Sequence, residues 1–446
     1  MRIDIGDKNK FSETIKELLG FNIMKNRLNG ISIDSRNLQN GDVFIALKGH
    51  NVDSHNFINP KMESQTSLII NEMKSSINII KVDSSKDMLK RIAKRYREKM
   101  NCKVIGITGS NGKTTTKEIL YHILKDKYST SMTGENYNST IGMPMSFFSI
   151  STSNDIFIAE MGTNSIGEIK YLSEVAKPDI GVITNISEAH IQNFDSVDDI
   201  YNEKMELFKS LKEGGIAFIN MDDPYISTST LSPNVRIIRY GFQNRFEYFG
   251  HISNSEETSF FINNHKIETK HLSSNLMKNI LVAFSIASEL GLNPKEFNQN
   301  ISSFNIPSGR GKTIYKNKYL IIDDTYNSNF TSTVSGICSL KNKKYNKMRK
   351  IIVLGDMLEL GEKANEFHEN LLNYIVESGI NKVFLYGDLM RSLYEKSKDI
   401  TGFSVEHFST QELLIKNLNN FICKNDVIYI KGSRGMKMEK IIKGLK

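Results

Sequence analysis

A chain of 446 residues with a net charge of +8, 39% hydrophobic and 24% charged residues has the length of about three domains and an ordinary globular balance. That composition excludes a disordered or collagenous chain, and no segment approaches the roughly 20 apolar residues of a membrane helix. The positive charge is spread as single lysines or short groups such as 341–344, which predicts a solvated surface biased towards anionic small molecules, with no nucleic-acid partner.

Cys102, Cys338 and Cys423 lie far apart without CxxC spacing, so neither a disulfide framework nor a zinc site is expected. The opening MRIDIGDKNKF lacks the apolar core of a signal peptide. A cytoplasmic monomer is the expectation.

In chain order, residues 1–98 read as a mixed α/β domain. It has a short helix at Ser12–Leu19, strands in 42–49 and 67–70, and an amphipathic helix at Lys86–Met100 with Met88, Ile92 and Tyr96 on one face. That helix is expected to be the hinge into the next domain. Residues 99–308 alternate strand and helix, which predicts a parallel sheet covered on both faces. The stretch 236–272 departs from the alternation, and Asn263-Asn264 predicts an added hairpin there. An apolar helix at Leu276–Leu290 precedes the break IPSGRG. Residues 309–446 carry five further strand and helix pairs, a second doubly wound domain with ligands expected at the carboxyl ends of its strands. The fold class is α/β throughout.

The segment GITGSNGKTTTKE, Gly106–Glu118, follows an apolar strand and opens a helix. Glycines at 109 and 112 let the backbone approach a polyphosphate, with N–H groups and a helix N-terminus facing the anion. Lys113 supplies a positive charge and Thr114 a hydroxyl for Mg²⁺. The commonest form of the loop needs glycine at 107, where this chain has Ile107; the GxxGxxGKTT form points away from GTPases and most motor ATPases.

The strand DIFIAE ends in Glu160, at the edge where a Mg²⁺ ligand belongs; the lesser alternative is a carboxylate that caps the next helix. The following strand delivers ISEAHIQNF, bringing His190 to the same edge. In NEKMELF, spacing alone makes Lys204 a solvated helical residue. His368, in EFHEN after the LGDMLELG loop, is either a pocket residue or an exposed helical histidine.

Taken together, GITGSNGKTTTKE, GENYNSTIGMP, AEMGTNSIGEI, NISEAHIQNF, NEKMELF, SGRGK and DDTYNSN resemble the Mur ligase family over essentially the whole chain. The resemblance implies three domains: a uridine-nucleotide domain (1–98), an ATPase domain (99–308) and a C-terminal Rossmann-like domain (309–446). It implies ATP and Mg²⁺ as cofactors and formation of an amide bond through an acyl phosphate. Thr108, Gly109, Ser110, Asn111, Gly112, Lys113, Thr114 and Thr115, with Asn279, Arg310, Asp324 and Asn327, would contact ATP. Lys113, Glu160, His190 and Lys204 would be catalytic, and Thr114, Glu160, His190 and a carbamylated Lys204 would hold metal.

The ends of the chain narrow the resemblance. ISIDSRNLQNGDVFIALKGHNVDSHNFI contains the uridine-domain signature Asp34, Ser35 and Arg36, while LGDMLELGEKANEFH and KGSRGMKME resemble the member that acts last. The DNPR motif of the preceding member is absent. The implied substrates are UDP-N-acetylmuramoyl-tripeptide and D-alanyl-D-alanine, with Asn136, Asn138, Lys431, Ser433 and Arg434 as further contacts. Three departures bear on local contacts: Asn275-Leu276 where the family has His-Asn, Ser54 where it has glycine, and HIQNF where a glutamate usually follows. A folylpolyglutamate-type ligase would share the loop but not the uridine segment. A nucleic-acid-stimulated ATPase would not explain IDSR, AEMGT or KGSR.

Overall fold

The computed structural model describes residues 1–49, 51–253, 259–269, 273–316 and 318–446. Among them the chain builds three sheets of five, nine and six strands. The first comprises β1 (Arg2–Asp4), β2 (Gly30–Ser32), β3 (Val43–Ile45), β4 (Leu68–Asn71) and β5 (Ile79–Lys81), in that order across the sheet. β1 is the antiparallel edge, and β2 to β5 run parallel. Its helices are α1 (Lys8–Leu19), capped by the Asp7 carboxylate on Lys10 N–H and closed by left-handed Gly20, α2 (Pro60–Gln65), and α3 (Ser85–Glu98), capped by Ser84.

α3 is a buttress, not the expected hinge. Met88, Ile92 and Tyr96 are buried in a core that runs without a break from the first sheet into the second. The Tyr96 hydroxyl donates to Ile150 O at 2.6 Å and accepts from Asp7 N at 2.9 Å, so it ties both sheets' domains together. Buried Arg97 adds a bond to Ala176 O at 3.1 Å.

The second sheet contains β6 (Lys103–Thr108), β7 (Thr130–Met132), β8 (Ile156–Glu160), β9 (Ile180–Ile183), β10 (Ile216–Asn220), β11 (Arg236–Gly241), β12 (Tyr248–Ser253), β13 (Ser259–Ile262) and β14 (His265–Ile267). Its order is β14-β13-β12-β11-β10-β9-β6-β8-β7. β6 lies between β9 and β8, so the loop after it opens at the centre of the sheet. Helices α4 (Lys113–Leu124), α5 (Gly142–Phe147), α6 (Glu168–Ala176), α7 (Val197–Lys209), α8 (Ser274–Glu289) and α9 (Pro294–Ile301) accompany it.

The Asn263-Asn264 turn is present, both residues at positive φ, joining antiparallel β13 and β14. The stretch 236–272 is more than a hairpin, however. β11 and β12 extend the parallel sheet first, because the alternation in RIIRYG buries Ile238 and Tyr240 against it. Residues 254–258 and 270–272 of that stretch lie outside the described residues.

The third sheet has β15 (Lys312–Lys316), β16 (Tyr319–Asp324), β17 (Arg349–Gly355), β18 (Lys382–Tyr386), β19 (Ser404–Phe408) and β20 (Asp426–Lys431), ordered β15-β16-β20-β17-β18-β19. All neighbours are parallel except β15 with β16. The five parallel strands are each followed by a helix: α10 (Phe330–Ser339), α11 (Ala364–Glu377), α12 (Met390–Ser397), α13 (Gln411–Phe421) and α14 (Glu439–Gly444). None of the described helices is long and apolar enough to cross a membrane.

Tyr96→Phe keeps the ring but strands the Asp7 N–H and Ile150 carbonyl at a buried seam. We expect a stability loss of about 1–3 kcal/mol in urea unfolding; an unchanged midpoint would show that the hydroxyl contributes nothing to the seam.

Candidate functional site

A cavity of about 990 Å³ lies where the carboxyl ends of the second sheet face those of the third. The loop after β6 forms one wall. Gly109 has φ +141 and Gly112 φ +85, and a Cβ on either would stand 1.9 Å from Thr184 Oγ1 or 2.6 Å from Asn279 Oδ1, so only glycine fits. The loop is pinned from the β9 side: Ser110 N donates to Asn185 O at 2.9 Å, Asn111 N to Asn185 Oδ1 at 3.0 Å, and Thr184 Oγ1 to Asn111 O at 2.6 Å. Thr108 is buried beneath it, donating to Met161 O at 2.9 Å. Lys113 folds back onto Gly109 O at 2.6 Å. Burial pushes its pKa down, with Glu160 opposing and Arg310 adding to the effect.

Glu160, 4% exposed at the end of β8, is not a helix cap. Its Oε1 accepts from Thr114 Oγ1 and Asn138 Nδ2, both at 2.9 Å, and its Oε2 is 3.4 Å from Lys117 Nζ. Burial pushes the carboxyl up, yet Lys117 and Lys113, with the Asn138 and Thr114 hydrogen bonds, outweigh it and hold the pKa below the ordinary range. A carboxylate kept ionised beside a threonine hydroxyl suits a hard cation that retains most of its waters, as Mg²⁺ does. Among the described residues no three His, Cys, Asp or Glu side chains converge on a common point.

Lys204 is 4% exposed, which overturns the solvated reading from spacing. Burial pushes its pKa to about 7, the charge of Lys113 adding and Glu203 opposing. Nothing in the spacing of NEKMELF signals that burial. Neighbouring Glu203, 3% exposed, accepts from Gly167 N at 2.7 Å and Ile169 N at 2.6 Å, capping α6 from α7. Lys117 is a site residue that no motif singles out: wholly buried, it donates to Thr133 O at 3.0 Å while facing Glu160.

The third sheet supplies the opposite wall. Arg310 Nη2 donates to Thr114 Oγ1 at 2.9 Å, and Asn329 Nδ2 to Asn111 Oδ1 at 3.0 Å. His190, at φ +59, pairs through Nδ1 with Glu359 of the LGDMLELG loop; this contact lowers the carboxyl pKa, against burial. Lys431, 3% exposed, donates to Asp324 Oδ2 at 2.7 Å and Asn327 O at 2.9 Å. Asn136, Asn138, Thr115, Asn279, Asp324 and Asn327 all line the cavity.

Other expected residues do not line it. Ser433 lies behind the wall, its Oγ accepting from Leu358 N at 2.8 Å, and Arg434 is an exposed neighbour, 5.8 Å from the Tyr326 ring centroid. Asp34, Ser35 and Arg36 belong to the first sheet's domain, where Asp34 accepts from Arg36 Nη2 at 2.8 Å; that bond above all holds the Asp34 carboxyl well below the usual range.

Residues 27–97 match the Mur ligase family catalytic domain, 107–287 the Mur ligase middle domain, and 309–434 the Mur ligase glutamate ligase domain. The UDP-N-acetylmuramoyl-tripeptide--D-alanyl-D-alanine ligase of Bacillus subtilis is 32% identical, over 94% of this chain and 93% of the relative. The chain belongs to the Mur ligase family. Among solved structures, MurF from Acinetobacter baumannii superposes with a TM-score of 0.85 at 27% identity, covering 93% of this chain and 92% of that one. MurF ligase from Thermotoga maritima, in complex with ADP, gives 0.83 at 28% identity, covering 93% and 96%.

His368 fits neither expectation. It is fully buried, its Nε2 accepting from Met357 N at 3.0 Å and its Nδ1 donating to Ala364 O at 2.6 Å, so it fixes the backbone of the LGDMLELG loop of this Mur ligase. Burial lowers its pKa, against the Ala364 bond and Asp356. Below the ordinary value of 6.5 the unfolded state takes up the proton first, so stability falls as pH falls. We expect His368→Gln to flatten the pH dependence of unfolding below 6.5; an unaltered slope would place the proton uptake elsewhere.

Proposed function

We propose that this Mur ligase is the ATP-dependent enzyme that joins D-alanyl-D-alanine to UDP-N-acetylmuramoyl-tripeptide, completing the pentapeptide precursor of peptidoglycan. The observation that carries the reading is the shared cavity, in which the Lys113 loop meets Arg310, Asp324 and Lys431 from the other sheet. The relatives' names supply the substrates.

A carboxylate does not condense with an amine unaided, because oxide is a poor leaving group. The terminal carboxylate of the tripeptide attacks the γ-phosphorus, ADP leaves, and an acyl phosphate forms. The neutral amine of the dipeptide then attacks the carbonyl, phosphate departs, and the nitrogen loses a proton. Lys113 and the loop N–H groups stabilise charge on the transferring phosphoryl group, and Arg310 adds charge from across the cavity. Thr114 and Glu160 would hold Mg²⁺, with His190 as a further candidate; the ion would shield the phosphate charge. Asn279 faces the adenine side and Asn136 and Asn138 the tripeptide end, while Ser433, behind the wall, holds the LGDMLELG backbone at Leu358 and Arg434 stands outside as a candidate for the dipeptide. Asp34, Ser35 and Arg36 serve the uridine nucleotide. Contact between the two walls excludes water from an acyl phosphate that would otherwise hydrolyse.

A lysine with a pKa near 7 is substantially neutral at physiological pH, the form that combines with CO₂. Carbamylation of Lys204 would turn this largely uncharged amine beside Lys113 into an anion. We expect Lys204→Ala to be inactive and partly rescued by short carboxylates; full activity without rescue would return Lys204 to a packing role.

Phosphate release should require both the tripeptide nucleotide and D-alanyl-D-alanine, tested against a panel of UDP-muramoyl peptides. Lys113→Ala and Glu160→Ala should each lose on the order of 10² to 10³ in turnover. Turnover with another muramoyl peptide, or without the dipeptide, would overturn the assignment.

A further inference from the structure

Six side chains from the two walls form a closed circuit through the site. Arg310 Nη2 donates to Thr114 Oγ1 at 2.9 Å, and Thr114 Oγ1 donates to Glu160 Oε1 at 2.9 Å. Asn138 Nδ2 reaches the same Glu160 oxygen at 2.9 Å. Two residues back along that loop, Asn136, held at φ +63, accepts from the Tyr326 hydroxyl. The Tyr326 ring then lies 3.9 Å beneath the Arg310 guanidinium, which closes the circuit.

Tyr326 is the member without an assigned role, and it touches both points at which this circuit crosses between the walls, through its hydroxyl on Asn136 and its ring under Arg310. Its backbone is also clasped by the segment joining the two sheets: Tyr326 N donates to Gly309 O at 3.0 Å, and a Cβ on Gly309 would stand 3.0 Å from Tyr326 Cβ. A movement of the joining segment therefore moves the ring. A guanidinium over an aromatic face is oriented by the ring quadrupole while its N–H groups stay free to donate in plane.

We propose that Tyr326 is a positioning residue that couples closure of the two walls to the phosphate-transfer geometry: its ring aims Arg310 at Thr114 while its hydroxyl fixes the Asn136–Asn138 loop that orients Glu160. Tyr326 acts through Arg310 and Asn136, not on the reacting atoms. The inference rests on the reading of Arg310 as a nucleotide-facing residue.

The test is a pair of double-mutant cycles on the full-length enzyme, with kcat and the KM for each substrate measured from phosphate release and folding checked by thermal unfolding. Tyr326→Leu should lower kcat about tenfold with the dipeptide KM within about twofold of the parent. Arg310→Ala should lower kcat on the order of 10², and the double variant should be slower than Arg310→Ala alone by no more than the loss seen in Tyr326→Phe, which removes only the hydroxyl. In the second cycle, Tyr326→Phe retains the ring and should recover most of the kcat lost in Tyr326→Leu. Combining it with Asn136→Ala should cost no more than the larger single effect, which keeps the test open if Tyr326→Leu does not fold. Multiplying losses in both cycles, or unchanged kcat in Tyr326→Leu, would overturn the role of Tyr326 while a slow Arg310→Ala left the site reading standing. A fully active Arg310→Ala would overturn the reading of Arg310 itself.

Discussion

The Glu160 carboxylate is the charge around which the site is organised. At 4% exposure an unpaired carboxylate would be strongly unfavourable, and only positive charge with good hydrogen-bond donors keeps it ionised. Lys117, Asn138 and Thr114 meet that demand. Lys117 and Thr114 both come from α4, which opens directly from the phosphate loop, and Asn138 from the loop after β7, so the course of both segments is thereby fixed. Arg310 completes the set from the other wall through Thr114.

The same logic extends to Glu203 and Lys204. Two consecutive buried charges on α7 would be unfavourable unpartnered, but Glu203 is engaged by the N–H groups at the start of α6. Lys204 is left with its charge weakened by burial and by Lys113. The first sheet's domain contributes rigidity: its core is continuous with that of the second, through α3 and Tyr96. The third sheet, by contrast, meets the second mainly through polar side chains such as Asn329, Thr331 and Ser335, the kind of contact that can open and reform.

Periodicity and turn chemistry make most of the elements legible in one dimension. Continuous apolar runs such as VIGIT and IIVLG read as central parallel strands, and Asn263-Asn264 marks its hairpin. β7 and β15 are not legible in this way, because TSM and KTIYK have no long apolar run and stand at sheet edges. The buried face of α3 follows from its pattern but its role as a buttress does not, since amphipathicity shows that a face is buried and not what buries it.

The sequence by itself determined the local chemistry: glycines at 109 and 112 where a Cβ would collide with the wall, a lysine and a threonine at the start of α4, and a carboxylate closing β8. Only the tertiary structure decided which charges pair. Lys117, Lys204 and Glu203 look like ordinary helical surface residues in one dimension, His368 like a candidate for chemistry, and Tyr326 like one letter of a motif. Burial and partners separated them, because the energy of a charge depends on what surrounds it in space and not on its neighbours along the chain.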